Sequence, residues 1–246
     1  MRPVGAVLRF GLLLGVLAAG AGRASPLAHS HNDYEQPRPL LDALALGFDS
    51  VEADVWLVDG RLLVAHEAAQ LQPDRTLESL YLDPLRAWVK QPDARPLILL
   101  IDVKTEAAAT YAALDAVLGK YPDLAARVRF IVSGNRAREV MEPQPHRRAA
   151  LDGRMEDLAT DAPAGLIPLV SDNWAKYFTW RGEGEFPAAD RERLRQFVVQ
   201  ARAQHRILRF WNTPNLPAVW RELRAAGVDV IGTDDLLALR RFLDTP

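Results

Sequence analysis

The chain has no cysteine among its 246 residues. Disulfides, thiolate zinc sites, a cysteine nucleophile and a lipidated cysteine anchor are therefore excluded. Charge of one sign is also scarce, with 30 Lys+Arg against 32 Asp+Glu and a formal net charge of −2. That balance gives no electrostatic reason to expect nucleic acid as a partner. No apolar run reaches the ~20 residues that a membrane-spanning helix needs. No glycine-rich phosphate loop follows the first candidate strand, which counts against a doubly wound sheet, the competing architecture. There is no internal repeat, linker or low-complexity tract. Histidine is sparse: of five, three (His29, His31 and His66) fall in the first 66 residues.

What is present begins with an export signal. Arg2 and Arg9 make a basic start, Phe10 to Ala21 is a 12-residue uncharged apolar run, and Gly22-Arg23-Ala24 supplies small residues at a cleavage site. Residues 1–24 therefore read as a secretory signal peptide cut after Ala24, with an uncleaved anchor as the alternative. Its removal leaves 222 residues, with 27 bases against 32 acids and a charge of −5. The expected location is periplasmic or secreted, with no stable membrane insertion after cleavage.

Residues 25–246 read as a single domain whose 49% apolar content supports a real core. Candidate strands are Pro26–His31, Ser50–Trp56, Leu62–His66, Leu97–Lys104, Val128–Ser133, Arg148–Leu151, Leu166–Ser171, Ile207–Asn212 and Val228–Gly232. Helical spacing marks Leu40–Leu46, Ala107–Leu118, Arg191–Ala203 and Leu216–Ala226. The alternation predicts an α/β fold, a TIM-type (β/α)8 barrel with distortions. Nine candidates exceed the eight strands of such a barrel, so Arg148–Leu151 or Leu166–Ser171 is expected to be a loop segment or an extra strand.

Polar residues gather where the strands end, the end of a barrel that carries chemistry. The first candidate strand ends in His29-Ser30-His31-Asn32-Asp33-Tyr34, and the second carries Glu52-Ala53-Asp54. His66 ends the third, Asp102-Val103-Lys104 the fourth, and Arg209-Phe210-Trp211 lies in the eighth. Residues two apart on a strand share a face, so each of these pairs points one way. Core packing does not explain such a set, because buried charge is costly unless paired or metal-bound. Glu52, Asp54 and Asp102, with the Asn32 amide oxygen, form a hard oxygen donor set suited to Ca²⁺ or Mg²⁺. Lys104 and Arg209 are placed to meet a phosphate, with Trp211 as a substrate wall. His31 and His66 suit an acid–base pair near neutral pH. His29 reads as a hydrogen-bonded core residue, and His146 and His205 as bystanders. Asp234 and Asp235 fit a helix cap as well as a contact to substrate.

His29-Ser-His-Asn-Asp-Tyr34, Val51-Glu-Ala-Asp-Val-Trp56, Leu63-Val-Ala-His66 and Ile101-Asp-Val-Lys104 together resemble the phosphatidylinositol-specific phospholipase C and glycerophosphodiester phosphodiesterase superfamily. Val228 to Asp234 resembles its closing strand. The resemblance is strongest in the first 80 residues. It implies a distorted TIM barrel that cleaves a small phosphodiester or phospholipid with a divalent metal, by way of a cyclic phosphate. It also implies that His31 and His66 are the catalytic histidines, Glu52, Asp54, Asp102 and Asn32 the metal ligands, and Lys104 the phosphate lysine. Two features differ from typical glycerophosphodiesterases. Asn32-Asp33 stands where they have Arg-Gly, and no long insertion supplies a capping subdomain, so the start resembles a small branch of the superfamily.

Two other classes fit parts of the pattern. His29-x-His31 is similar to an amidohydrolase zinc pair, but the later histidines of that set are missing. A non-catalytic barrel that binds a phosphorylated ligand would keep the same pocket.

Overall fold

The computed structural model describes residues 25–245. The expected export signal, with its expected cut after Ala24, lies outside the described residues.

Nine strands form the sheet: β1 (Leu27–Ser30), β2 (Ser50–Val58), β3 (Arg61–Val64), β4 (Leu97–Val103), β5 (Val128–Gly134), β6 (Ala149–Gly153), β7 (Leu169–Asn173), β8 (Ile207–Trp211) and β9 (Val230–Thr233). Eight run parallel in the order β1-β9-β8-β7-β6-β5-β4-β2, and β1 pairs with β2 to close the ring. This is a (β/α)8 barrel. The helices are α1 (Leu41–Ala45), α2 (Asp83–Trp88), α3 (Ala107–Leu118), α4 (Arg138–Met141), α5 (Ala188–Ala203), α6 (Pro217–Ala226) and α7 (Leu236–Leu243). The β5–β6 crossover has only the one-turn α4, and the β6–β7 crossover has only a 3₁₀ turn over Met155–Ala159. There the barrel departs from regular alternation. Among the described residues no helix is long and apolar enough to cross a membrane.

The strand outside the ring is neither of the two expected. Arg148–Leu151 and Leu166–Ser171 overlap β6 and β7, both of which are parallel barrel strands. The extra strand is β3, which pairs antiparallel with β2 through Trp56↔Leu63 and Val58↔Arg61. The cause is the Asp59-Gly60 turn, with φ of 49° and 76°. Two left-handed residues make the tight hairpin turn that matches strand twist, and Asp-Gly tolerates it best. The chain thus folds back on β2 instead of crossing to a new barrel position.

Along the inner face, each strand changes character from base to mouth. Leu27, Ile98, Leu100, Ile131, Ala150, Leu169 and Val230 form an apolar plug at the base. Two residues farther along the same strands stand His29, Asp102, Ser133, Asp152, Ser171 and Gly232. The outer face is mostly apolar, with Val51, Ala53, Val55, Leu99, Ile101, Val103, Leu208 and Phe210 packed under the helices, and with Ser30, Asp172 and Thr233 as buried polar residues near the strand ends. Alternation on a strand thus hides one apolar face beneath helices and delivers the polar face to the mouth.

The helices begin and end where capping chemistry allows. Glu106 accepts from the backbone N–H of Ala108 and Ala109 at 2.8 and 2.7 Å and so starts α3 directly after Lys104. Pro217 opens α6, and Gly227, at φ 85°, closes it. Asp235 accepts from Ala238 N at 2.9 Å and caps α7.

Candidate active site

The loop after β1 carries His31, Asn32, Asp33 and Tyr34, and it is held by Asp33. This fully buried carboxylate accepts from Ser30 Oγ at 2.7 Å, Leu40 N at 2.5 Å and Tyr81 OH at 3.0 Å. Leu40 has φ 63° and ψ −49°, and Leu41 N donates to Pro39 O at 2.7 Å. That is a γ-turn in its strained form, maintained here by the Asp33 bond to Leu40. Asn32 also sits in the left-handed region, at φ 47°, which an asparagine tolerates. Asp33 therefore shapes the loop and is not a ligand.

Glu52 lies inside the barrel mouth. Its Oε2 accepts from Arg209 Nη2 at 2.8 Å and His29 Nε2 at 2.9 Å. Burial pushes its carboxyl up, but the Arg209 charge and the His29 hydrogen bond outweigh this and hold it below the usual carboxylate range. His29 is fully buried, with Nδ1 against Ser50 Oγ at 2.7 Å. Burial, helped by Arg209, lowers its pKa to about 4, so it is neutral and only Arg209 makes the ion pair. With both ring nitrogens engaged, His29 has none left for a metal, which counts against the amidohydrolase alternative.

Arg209 thus lies deeper than expected. It is 3% exposed and its charge is matched by Glu52, so it does not stand beside Lys104 to meet a phosphate as its place on the strand suggests. Trp211, two residues along β8, is 36% exposed at the rim.

Asp54 collects its donors on one oxygen. Oδ2 accepts from Tyr34 OH at 2.7 Å, Lys104 Nζ at 2.9 Å and His66 Nδ1 at 3.1 Å. Oδ1 is buried without a hydrogen-bond partner. Burial and the Glu52 charge raise the Asp54 pKa, and Lys104 works against them. Lys104 also reaches Asp102 Oδ1 at 2.9 Å. His66 comes to Asp54 because the β2–β3 hairpin doubles back, so that Ala65 N donates to Asp54 O at 3.2 Å.

Glu52, Asp54 and Asp102 each offer an oxygen within 4.8 Å of the others. The spacing suits a hard divalent cation. So does the bare Asp54 Oδ1, since a buried acceptor without a partner is costly. Asn32 Oδ1, the fourth expected ligand, lies 2.8 Å from Tyr34 OH.

His31 stands on the other flank. Its Nδ1 donates to Asp234 Oδ1 at 2.7 Å, and Asp234 Oδ2 accepts from Asn215 Nδ2 at 2.9 Å. Burial works against the imidazolium, but the Asp234 bond and the Glu52 charge prevail and raise the His31 pKa. Of the two acids after β9, then, Asp235 caps a helix and Asp234 orients His31. His146 and His205 are exposed and distant in topology, His205 in the turn before β8. Sequence reasoning passed over Tyr34, Asn215 and the Asp234–His31 pair. The only local sign of them was polar residues in the loops that follow β1, β8 and β9.

Comparison with known proteins agrees with this geometry. Residues 23–95 match the AIM6-like phosphodiesterase domain, and residues 208–236 match the glycerophosphoryl diester phosphodiesterase family. The chain is 29% identical over 266 aligned positions to altered inheritance of mitochondria protein 6 of Eremothecium gossypii, covering 87% of this chain and 68% of that protein. A homologue of that protein in Arthroderma benhamiae is 26% identical, covering 87% and 82%. Among solved structures, a calcium-dependent phosphoinositol-specific phospholipase C from a Pseudomonas species superposes with a TM-score of 0.62 at 12% identity, covering 90% of this chain and 92% of that one. A glycerophosphodiester phosphodiesterase from Parabacteroides distasonis gives 0.59 at 17% identity, covering 90% and 98%. At such identities the structural likeness speaks for the fold alone. The two family matches, over residues 23–95 and 208–236, together with the acid cluster at the barrel mouth, make the chain similar to the phosphatidylinositol-specific phospholipase C and glycerophosphodiester phosphodiesterase-like superfamily.

Proposed function

We propose that this chain is an exported, metal-dependent phosphodiesterase that cleaves a glycerophosphodiester or phospholipid-type diester by paired histidine acid–base catalysis. The observation that carries the reading is the placement of two accessible histidines around one acid cluster. The side chains of His31 and His66 are 33% and 48% exposed, and each commits Nδ1 to a carboxylate, Asp234 and Asp54 respectively. Nε2 of each ring is left to exchange a proton with substrate. One histidine takes the proton of the attacking hydroxyl, and the other returns a proton to the leaving oxygen. Where the substrate has a neighbouring hydroxyl, that group is the nucleophile and a cyclic phosphate is the first product.

Glu52, Asp54, Asp102 and the Asn32 amide oxygen are the residues that would hold Ca²⁺ or Mg²⁺. Such an ion neutralises charge on a phosphoryl oxygen and acidifies a hydroxyl when bound. Lys104 keeps its ammonium at the rim of the cluster, one-quarter exposed, within reach of a phosphate oxygen. Asp234 and Asp54 fix the orientation of the two imidazoles. Trp211 offers a flat wall to the rest of the substrate.

The test is ³¹P NMR of the protein with a panel of phosphodiesters, with Ca²⁺ or Mg²⁺ and then with chelator. Metal-dependent loss of a diester signal, with or without a transient cyclic phosphate, is expected. A folded protein that turns over no diester with either ion overturns the proposal.

A further inference from the structure

Tyr34 has no part in the scheme above, yet its hydroxyl touches three of that scheme's residues. The ring is buried in the core at 4% exposure, and only the phenolic oxygen reaches the site. It lies 2.7 Å from Asp54 Oδ2, 2.8 Å from Asn32 Oδ1 and 3.1 Å from His66 Nδ1. Arg75 Nη2 donates to the Tyr34 carbonyl at 2.5 Å and fixes the backbone beneath it.

Proton counting then restricts the arrangement. A phenol has one proton to donate. The carboxylate of Asp54 is the stronger acceptor, so the proton goes to Oδ2. The Asn32 amide then meets the phenol oxygen with its nitrogen, because a half-turn of the amide exchanges Oδ1 and Nδ2. The chain of donors runs from Asn32 Nδ2–H to the Tyr34 oxygen, and from the Tyr34 O–H to Asp54 Oδ2. This releases Asn32 Oδ1 from the phenol, and the buried Asp54 Oδ1 has no hydrogen-bond partner. His66 Nδ1 faces the same Asp54 Oδ2 at 3.1 Å, so the ring proton resides on Nδ1.

We infer that Tyr34 is a positioning residue that turns the Asn32 and Asp54 oxygens toward a divalent cation and holds His66 as its Nδ1–H tautomer. The inference rests on the phosphodiesterase reading above. It assigns Tyr34 no contact with the reacting atoms. Its hydroxyl acts through Asn32, Asp54 and His66, in the way outer hydrogen bonds orient metal ligands generally.

The test is the Tyr34→Phe variant, which removes only the hydroxyl. Calorimetric titration with Ca²⁺ and Mg²⁺ alone reads the oxygens, and ¹⁵N NMR of the His66 ring reads the tautomer. The expected result is a metal affinity weakened by ~10–100-fold, the range for losing an outer hydrogen bond. The His66 ring should also move from one Nδ1–H form to a mixture. Affinity within twofold of the unmodified protein, with His66 unchanged, overturns the inference. In the unmodified protein the Tyr34 O–H should give a slowly exchanging proton signal, and its absence overturns the inference even where the variant does not fold. Failure of the unmodified protein to bind either ion defeats the metal reading itself, and is distinct from equal binding by both proteins, which defeats only the role of Tyr34.

Discussion

Gly134 and Asp102 are in such close approach that a Cβ at residue 134 would lie 2.5 Å from Asp102 Oδ1. The same atom would lie 2.5 Å from Val103 O, and Gly134 has φ 65°. Both the space and the backbone conformation therefore require glycine. The two residues sit one position apart in register, since Asp102 pairs with Ser133 and Val103 with Gly134.

Gly134→Ala should push Asp102 out of the acid cluster. A loss of ~1–3 kcal/mol in stability is expected for the strained backbone alone. Calorimetric titration should show weaker binding of Ca²⁺ or Mg²⁺. A Gly134→Ala protein with unchanged melting and unchanged metal affinity would refute this account of the cluster.

Arg209 is buried against Glu52, so its removal should be felt in folding before any substrate is added. Arg209→Met leaves a buried carboxylate without its cation, a change that costs ~3–5 kcal/mol in comparable pairs. Urea unfolding of the variant measures it. The Arg209→Met/Glu52→Gln pair should recover part of the loss. An unfolding midpoint equal to that of the unmodified protein would show that the ion pair contributes little.

The two histidines should separate chemistry from folding. His31→Ala and His66→Ala should each lower kcat by ~10²–10⁴, the usual range for a positioned acid or base. Asp234→Asn should lower it less, because it loosens His31 without removing it. Circular dichroism checks the fold of each variant. Near-normal turnover in folded His66→Ala would sink the two-histidine scheme.

Asp172 supports the far wall of the barrel and gives a pH signature. Burial raises its carboxyl, but Lys176 at 2.8 Å, Asn173 N at 2.7 Å and Tyr177 OH at 2.9 Å prevail and lower it. A folded pKa below the unfolded value means stability that is present above about pH 4 and is lost as pH falls through the folded pKa. Asp172→Asn should therefore cost ~1–3 kcal/mol at pH 7, the scale of a lost buried charged hydrogen bond. The difference between the two proteins should shrink steadily below pH 4. A constant difference from pH 7 to pH 2.5 in urea unfolding would contradict it.

Local pattern was enough for the strand–helix alternation, the barrel class and the residue types at the mouth. Strand periodicity and capping act over a few residues, so Leu97–Val103, α3 after Glu106 and α6 between Pro217 and Gly227 are readable where they stand. The Asp59-Gly60 turn is equally local and marks β3 as a hairpin strand; a strand count alone does not distinguish β3 from β6 or β7 as the surplus. Ring closure decided the rest. It brings Arg209 to Glu52 across 157 residues and His31 to Asp234 across 203, and no spacing in the chain encodes either meeting. The same closure sets Tyr34 against Asp54 and buries His29 beside Ser50. A polar residue at a strand end announces chemistry by its type. Its partner, and hence its charge and its role, depends on which distant strands stand beside it in the closed barrel.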